Sequence, residues 1–261
     1  MILLLMDDSI RALVLSFGAG LSTLIGAFII FFTKGKNEKL ITISLGFAAG
    51  IMISVSFTDL LPNANTLLIE HSGQRLGIIA SVGFLISGLL LAASLDRLVP
   101  HQEYDETHGQ KPHQDLFRVG FVSMLAITIH NFPEGIATFM ASYDNLSLGI
   151  SIALAISMHN IPEGIAVAMP VYFATGSKAT AFKYTLISAL AEPCGALLAF
   201  LILQPFINNL VLGSIFAIIS GIMLYISIEE LIPSSRQYGH DNWALIATFT
   251  GICLMPLTHA I

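Results

Sequence analysis

The chain has 261 residues, 55% of them hydrophobic and 11% charged, with a formal net charge of −6 and a mean hydropathy of +0.80. Soluble domains carry about 25% charged residues, so this composition excludes a soluble protein and describes an integral membrane one. No nucleic-acid partner is expected of so acidic and apolar a chain.

A hydrocarbon core of about 30 Å needs roughly 20 apolar residues per helix. Eight runs fit, which predicts an all-α fold of eight transmembrane helices: Ala12 to Phe32, Leu40 to Leu61, Leu76 to Leu95, Val119 to Met140, Leu148 to Val171, Ala181 to Leu203, Val211 to Ile232, and Trp243 to Ala260. Short connectors leave no room for a soluble domain, so residues 1–261 are read as a single transmembrane domain. The first run lacks the positive n-region and cleavage site of a secretory signal, and Asp7 and Asp8 precede it, so it is expected to be a span. Lys34, Lys36, Lys39, Arg97, Lys111, Arg118, Lys178, Lys183 and Arg236 fall on or beside the connectors after spans one, three, five and seven. Only Arg11 and Arg75 fall on the other side, and because Lys and Arg stay cytoplasmic, both termini are expected outside. Cys194 and Cys253 lie within spans, so a disulfide framework or zinc ribbon has no support. They are expected to be buried structural thiols.

The second span holds GFAAGIM, ending at Met52, in which Gly46 and Gly50 form a GxxxG expected to serve close helix packing. Gly50 to Pro62 (GIMISVSFTDLLP) returns as Gly221 to Pro233 (GIMLYISIEELIP), 171 residues later. The charge rule gives the two copies opposite directions. Asp59 then marks an outer mouth, and Glu229 with Glu230 an inner one. Asp96, closing the third span, and His101 and His108 of the 97–118 loop are further candidates for an inner exit. That loop also carries His113, Glu103, Asp105, Glu106 and Asp115; a solvated linker and a loose metal-collecting tract both fit it.

The fourth and fifth spans repeat each other as LAITIHNFPEGIATFM and LAISMHNIPEGIAVAM, offset by 29 residues, and run in opposite directions. A weaker echo aligns Leu21 to Phe28 with Leu190 to Leu197, pairing Thr23 with Glu192. Spans one to three thus match six to eight, and four matches five. Inverted repeats around a midplane site are the signature of alternating-access transporters.

On a helix, residues i and i+4 lie about 40° apart, so His130, Asn131 and Glu134 share one face, as do His159, Asn160 and Glu163. Pro133 and Pro162 lack an N–H and free the carbonyls of Ile129 and Met158, while Gly135 and Gly164 let neighbouring helices approach. Glu192, beside Pro193, adds a third intramembrane carboxylate. Acidic centres cost about 2.5 to 3.5 kcal/mol each on insertion scales, and neither repeated run contains a Lys or Arg to offset them. A divalent cation is the simplest partner. Imidazole with carboxylate suits Zn²⁺, Fe²⁺, Mn²⁺ or Co²⁺ better than Mg²⁺ or Ca²⁺, and the set is rich enough for two ions.

HNFPEG, HNIPEG, AEP in the sixth span and GFAAGIM in the second resemble the ZIP (Zrt/Irt-like) metal transporters, closest to their bacterial ZupT branch, over nearly the whole chain. The resemblance implies eight helices with outside termini, a homodimer in a bacterial inner membrane, and inward movement of divalent metal. It further implies one metal site from His130, Glu134, His159 and Glu163. An adjoining site would use Asn131, Asn160 and Glu192 and share Glu134 and Glu163; Met52 matches a position that supplies a thioether in some members. A moving bundle of spans one, four, five and six against a static remainder is implied as well.

Two other functions compete. An intramembrane metalloprotease would carry HExxH, with Glu beside the first His as base, whereas here Asn follows His and Glu stands at i+4. A cation channel needs neither paired imidazoles nor inverted repeats. If the loop is a linker, substituting His108 should change metal uptake by no more than a few-fold, and complete loss would assign the loop an obligatory role.

Overall fold

The computed structural model describes residues 8–32, 37–98, 115–144, 146–203 and 208–258. His101 and His108, along with Lys34, Lys36 and Lys111, lie outside these residues. The described chain is helical throughout, with no strand, as lipid demands of backbone groups that have no water to bond. Eight helical rods follow in order among the described residues: α1 Asp8–Phe32, α2 Glu38–Ser72, α3 Gln74–Leu98, α4 Asp115–Asp144, α5 Leu146–Thr175, α6 Lys178–Leu198, α7 Asn209–Arg236 and α8 Asp241–Thr258.

Seven of these, α1 to α7, are long and apolar enough to cross a membrane. The eighth helix has 18 residues and opens on Asp241 and Asn242, which dilutes its apolar stretch. Its Gly251 lies against α2, where an added methyl would meet the Phe47 carbonyl oxygen at 2.5 Å.

Side-chain caps start three of the rods. Asn37, Ser177 and Asn208 accept from Leu40 N, Thr180 N and Val211 N at 3.1, 3.2 and 3.1 Å, satisfying amides that a first helical turn leaves unbonded. Three reversals need a left-handed residue and have glycine there: Gly73 at φ 80°, Gly176 at φ 69° and Gly239 at φ 70°.

The second and seventh rods run further than the apolar pattern predicts, α2 to Ser72 and α7 to Arg236. Pro62 and Pro233 lie just past the predicted runs, and in each rod a π-helical turn, Ser56–Leu60 and Ile226–Leu231, precedes the proline. The wider turn accommodates a ring that would otherwise clash with a carbonyl one turn back. The two turns fall at matching places in the 171-residue repeat.

Packing divides the rods into two groups. Helices α1, α4, α5 and α6 pack on one another, and α2, α3, α7 and α8 form the second group; α2 with α5, and α3 and α7 with α4, meet across the seam. Within each group the backbones nearly touch at glycine. A methyl on Gly164 would lie 1.8 Å from the Thr23 carbonyl oxygen, and one on Gly135 1.9 Å from that of Glu192. In the second group the same holds for Gly50 against the Thr248 carbonyl at 2.1 Å and Gly88 against that of Ile218 at 1.9 Å. Close packing at Gly46 and Gly50 is therefore as expected, with α8 as the neighbour. Small residues at such crossings are how membrane helices gain contact, lipid being as apolar as leucine.

Outward faces carry large apolar side chains, including Ile79, Ile86 and Leu90 of α3 and Phe249 and Leu257 of α8. Cys194 and Cys253 are on such faces, both exposed, which corrects the expectation of buried thiols. Run length places a residue in a span but does not fix which way the helix turns it.

Gly164→Ala should destabilise the purified protein by about 1–3 kcal/mol or prevent its folding, whereas Gly83→Ala, with open space around it, should leave the melting temperature unchanged in a thermal-unfolding assay.

Candidate metal centre

The faces predicted for the two repeated spans meet. His159 Nε2 lies 2.6 Å from Glu134 Oε1, and His130 Nε2 lies 3.1 Å from Glu163 Oε1 and 3.5 Å from Glu134 Oε2. The imidazole rings stand 6.2 Å apart. All four side chains are buried, Glu163 completely. His130, His159 and Glu163 each present a ligand atom within 4.8 Å of the others, a spacing that could hold one metal ion.

The two asparagines are held by backbone. Asn131 Nδ2 donates to the Ser188 carbonyl at 3.2 Å, and Asn160 Nδ2 to the Ala19 carbonyl at 3.0 Å. Asn160 also donates to Glu192 Oε2 at 2.8 Å, which brings the third carboxylate to the same cluster. Both amide oxygens remain unpartnered, and so do His130 Nδ1 and Nε2, Glu134 Oε2, both oxygens of Glu163 and Glu192 Oε1. His130 and Glu163 are close enough for a hydrogen bond, but their alignment does not make one. A buried polar atom without a partner costs about 1–3 kcal/mol, more when charged. Orphans this concentrated, most of them acceptors, suit a cation.

A cavity of about 570 Å³ reaches this cluster from one side. Glu134 and His159 line its floor; Asp59, Asn63, Thr66, Asn208 and Asn209 line its walls. Glu163 and His130 do not line it. Asp59 is half-buried and accepts from Thr58 Oγ1 at 2.6 Å, so the structure places it on the approach to the cluster. Met52 is fully buried in the apolar core, and its neighbour Val55 faces the cavity instead.

Asp96, Glu229 and Glu230 sit at the opposite end. Glu229 is exposed and Glu230 buried. Glu230 pairs with Arg118, which also pairs with Asp96. Sequence reading missed that pairing and the asparagines of the cavity wall, since nothing in their spacing links residues so far apart in the chain.

Comparison with known proteins shows the family. The profile of the ZIP zinc transporters matches residues 96–258. The chain belongs to that family. A protein of Streptococcus mutans named zinc transporter ZupT is 44% identical over 95% of this chain and 96% of its own length. Proteins of that name from Oceanobacillus iheyensis and Chlorobaculum parvum are 42% and 43% identical, each over 97% of this chain and 98% of their own. With α1 to α7 long enough to cross a bilayer, the chain is a multi-pass bacterial membrane protein of the ZIP family.

A divalent transition-metal ion should stabilise the stripped protein through mass action, by about 2.7 kcal/mol at a hundred times its dissociation constant, read as a higher melting temperature. Glu163→Gln should lose most of that gain in the same thermal scan.

Proposed function

We propose that the protein carries divalent transition-metal ions, zinc first, into the cytoplasm by alternating access through the His130–Glu134–His159–Glu163 cluster. The observation that carries this reading is the set of orphaned acceptors at and behind the floor of the cavity, in a chain whose relatives are named zinc transporters. Iron, manganese, cobalt and cadmium are the other candidate ions, since such sites select by geometry and availability as much as by donor type. Family membership makes the protein a carrier and not an enzyme.

Each histidine must be neutral at the nitrogen that binds, and each carboxylate ionised, so loading releases protons. An ion arriving through the cavity meets Glu134 and His159 first, because these line it; His130 and Glu163 lie behind. Handing the ion from one imidazole to the other moves it deeper. Asn131, Asn160 and Glu192 offer three more oxygens beside the shared carboxylates, enough for a second ion. Met52 would need to turn out of the core to add its thioether.

The nine-to-two distribution of basic residues supports outside termini, α8 as an eighth span, and a cavity that opens outward. An inverted repeat is supported by paired contacts. Asn131 bonds Ser188 as Asn160 bonds Ala19, and Gly135 meets Glu192 as Gly164 meets Thr23. These partners on α1 and α6 are 169 residues apart, the offset of the weak echo. The family resemblance supports a homodimer in the bacterial inner membrane.

Glu134→Ala and Glu163→Ala should each abolish radiolabelled zinc uptake into proteoliposomes while leaving the protein folded and inserted. Uptake at the wild-type rate in both would refute the assigned site. Competing ions at two pH values in the same assay rank the metals and reveal proton coupling.

A further inference from the structure

Opposite the cavity, the seam between the two helix groups holds a second buried ionic assembly that metal binding does not use. Arg118, near the start of α4, donates from Nη1 to Glu230 Oε1 at 3.1 Å and from Nη2 to the Asp96 carboxylate. Tyr225 donates its hydroxyl to the other Asp96 oxygen at 3.1 Å. The three charged side chains are 13%, 8% and 5% exposed for Arg118, Asp96 and Glu230. Arg118 belongs to the group of α1, α4, α5 and α6. Asp96 on α3, and Glu230 and Tyr225 on α7, belong to the other.

Next to this assembly the seam is apolar. Leu95, Val122, Leu125 and Ile226 border a crevice of about 10 Å³, room for one water at most and none for a hydrated ion. The seam beside the ion pairs is therefore closed by packed side chains.

We propose that Arg118 is a latch that holds the inner side closed by clamping two carboxylates of the facing group. Without the guanidinium, Asp96 and Glu230 would be like charges sharing a desolvated place and would repel. With it, the seam cannot part slightly, because a half-separated pair leaves buried charge without compensation. The latch is either made or hydrated, which gives the closed and open forms the discreteness that alternating access requires. The inference rests on the alternating-access reading above. Arg118 is a positioning residue here and does not touch the metal.

The test uses full-length protein with Cys194→Ser and Cys253→Ser in sealed vesicles. Ala137→Cys reports on the outer cavity and Val122→Cys on the inner crevice, each labelled by a membrane-impermeant thiol reagent from its own side. Adding Arg118→Gln should slow labelling of the outer reporter and speed labelling of the inner one, each by roughly threefold or more, within the range by which remote substitutions shift a two-state balance. Asp96→Asn, which keeps Arg118 and one of its two partners, should shift both in the same direction by less, and it carries the test if Arg118→Gln does not fold. Unchanged rates at both reporters would overturn the latch. Stabilisation by zinc is measured on the same samples. Its absence in the parent protein would sink the metal reading, whereas normal zinc stabilisation with unshifted labelling would sink the latch alone.

Discussion

Four ionisable side chains, His130, Glu134, His159 and Glu163, are buried against one another between two helices of a membrane protein, and the rest of the architecture is arranged around that burial. Their mutual pairing is incomplete, since both oxygens of Glu163 and both ring nitrogens of His130 have no hydrogen-bond partner. Such a group tolerates neither lipid nor a loosely packed surround. The near-contact of backbones at Gly135, Gly164 and Gly195 follows from this constraint, because bulkier residues would hold α1 and α6 away from α4 and α5. Drawn in, those helices seal the flanks and leave the cavity as the approach, lined at its floor by Glu134 and His159.

Where the two halves of the site differ is as informative as where they match. Ala19, Thr23 and Gly26 on α1 make the contacts that Ser188, Glu192 and Gly195 make on α6. At one position a hydroxyl faces the role of a carboxylate. A fourth acid there would have raised the charge to be compensated by another 2.5 to 3.5 kcal/mol or so on insertion scales. It would also have favoured retaining an ion over releasing it. The asymmetry gives Asn160 a carboxylate neighbour, Glu192, where the matching place on α1 has the Thr23 hydroxyl.

The residues of the site were legible because helical spacing dictates them: i and i+4 share a face in any helix, and two antiparallel copies of one motif present two such faces. Span positions were legible from run length for a similar reason. Rotation about the helix axis was not. α8 is apolar nearly all round, so nothing in its pattern distinguishes a lipid face from a packed one; Cys253 on α8 and Cys194 on α6 both face outward, against expectation. Nor was the pairing of Arg118 with Asp96 and Glu230 legible, at separations of 22 and 112 residues. Arg118 reads in sequence as one more basic residue near a loop. Nor was the continuation of α2 and α7 past Pro62 and Pro233 legible, because the apolar runs end before each proline while the helices run on.

Those two π turns connect the ends of the molecule. In the 171-residue repeat Asp59 corresponds to Glu230, and each sits in its π turn at the same place in the motif. Asp59 lines an open cavity; Glu230 is buried and clamped by Arg118. One motif is thus seen in two settings, lining a cavity at Asp59 and buried against Arg118 at Glu230. If the halves exchange shapes during transport, hydration must be transferred as well: water enters around Glu230 as the cavity at Asp59 narrows. A widened turn suits that exchange, because its hydrogen bonds are already displaced from the α pattern and the carboxylate can be re-aimed without breaking a regular ladder. In such an exchange the cost of desolvating the acid at one end is offset by hydrating its counterpart at the other.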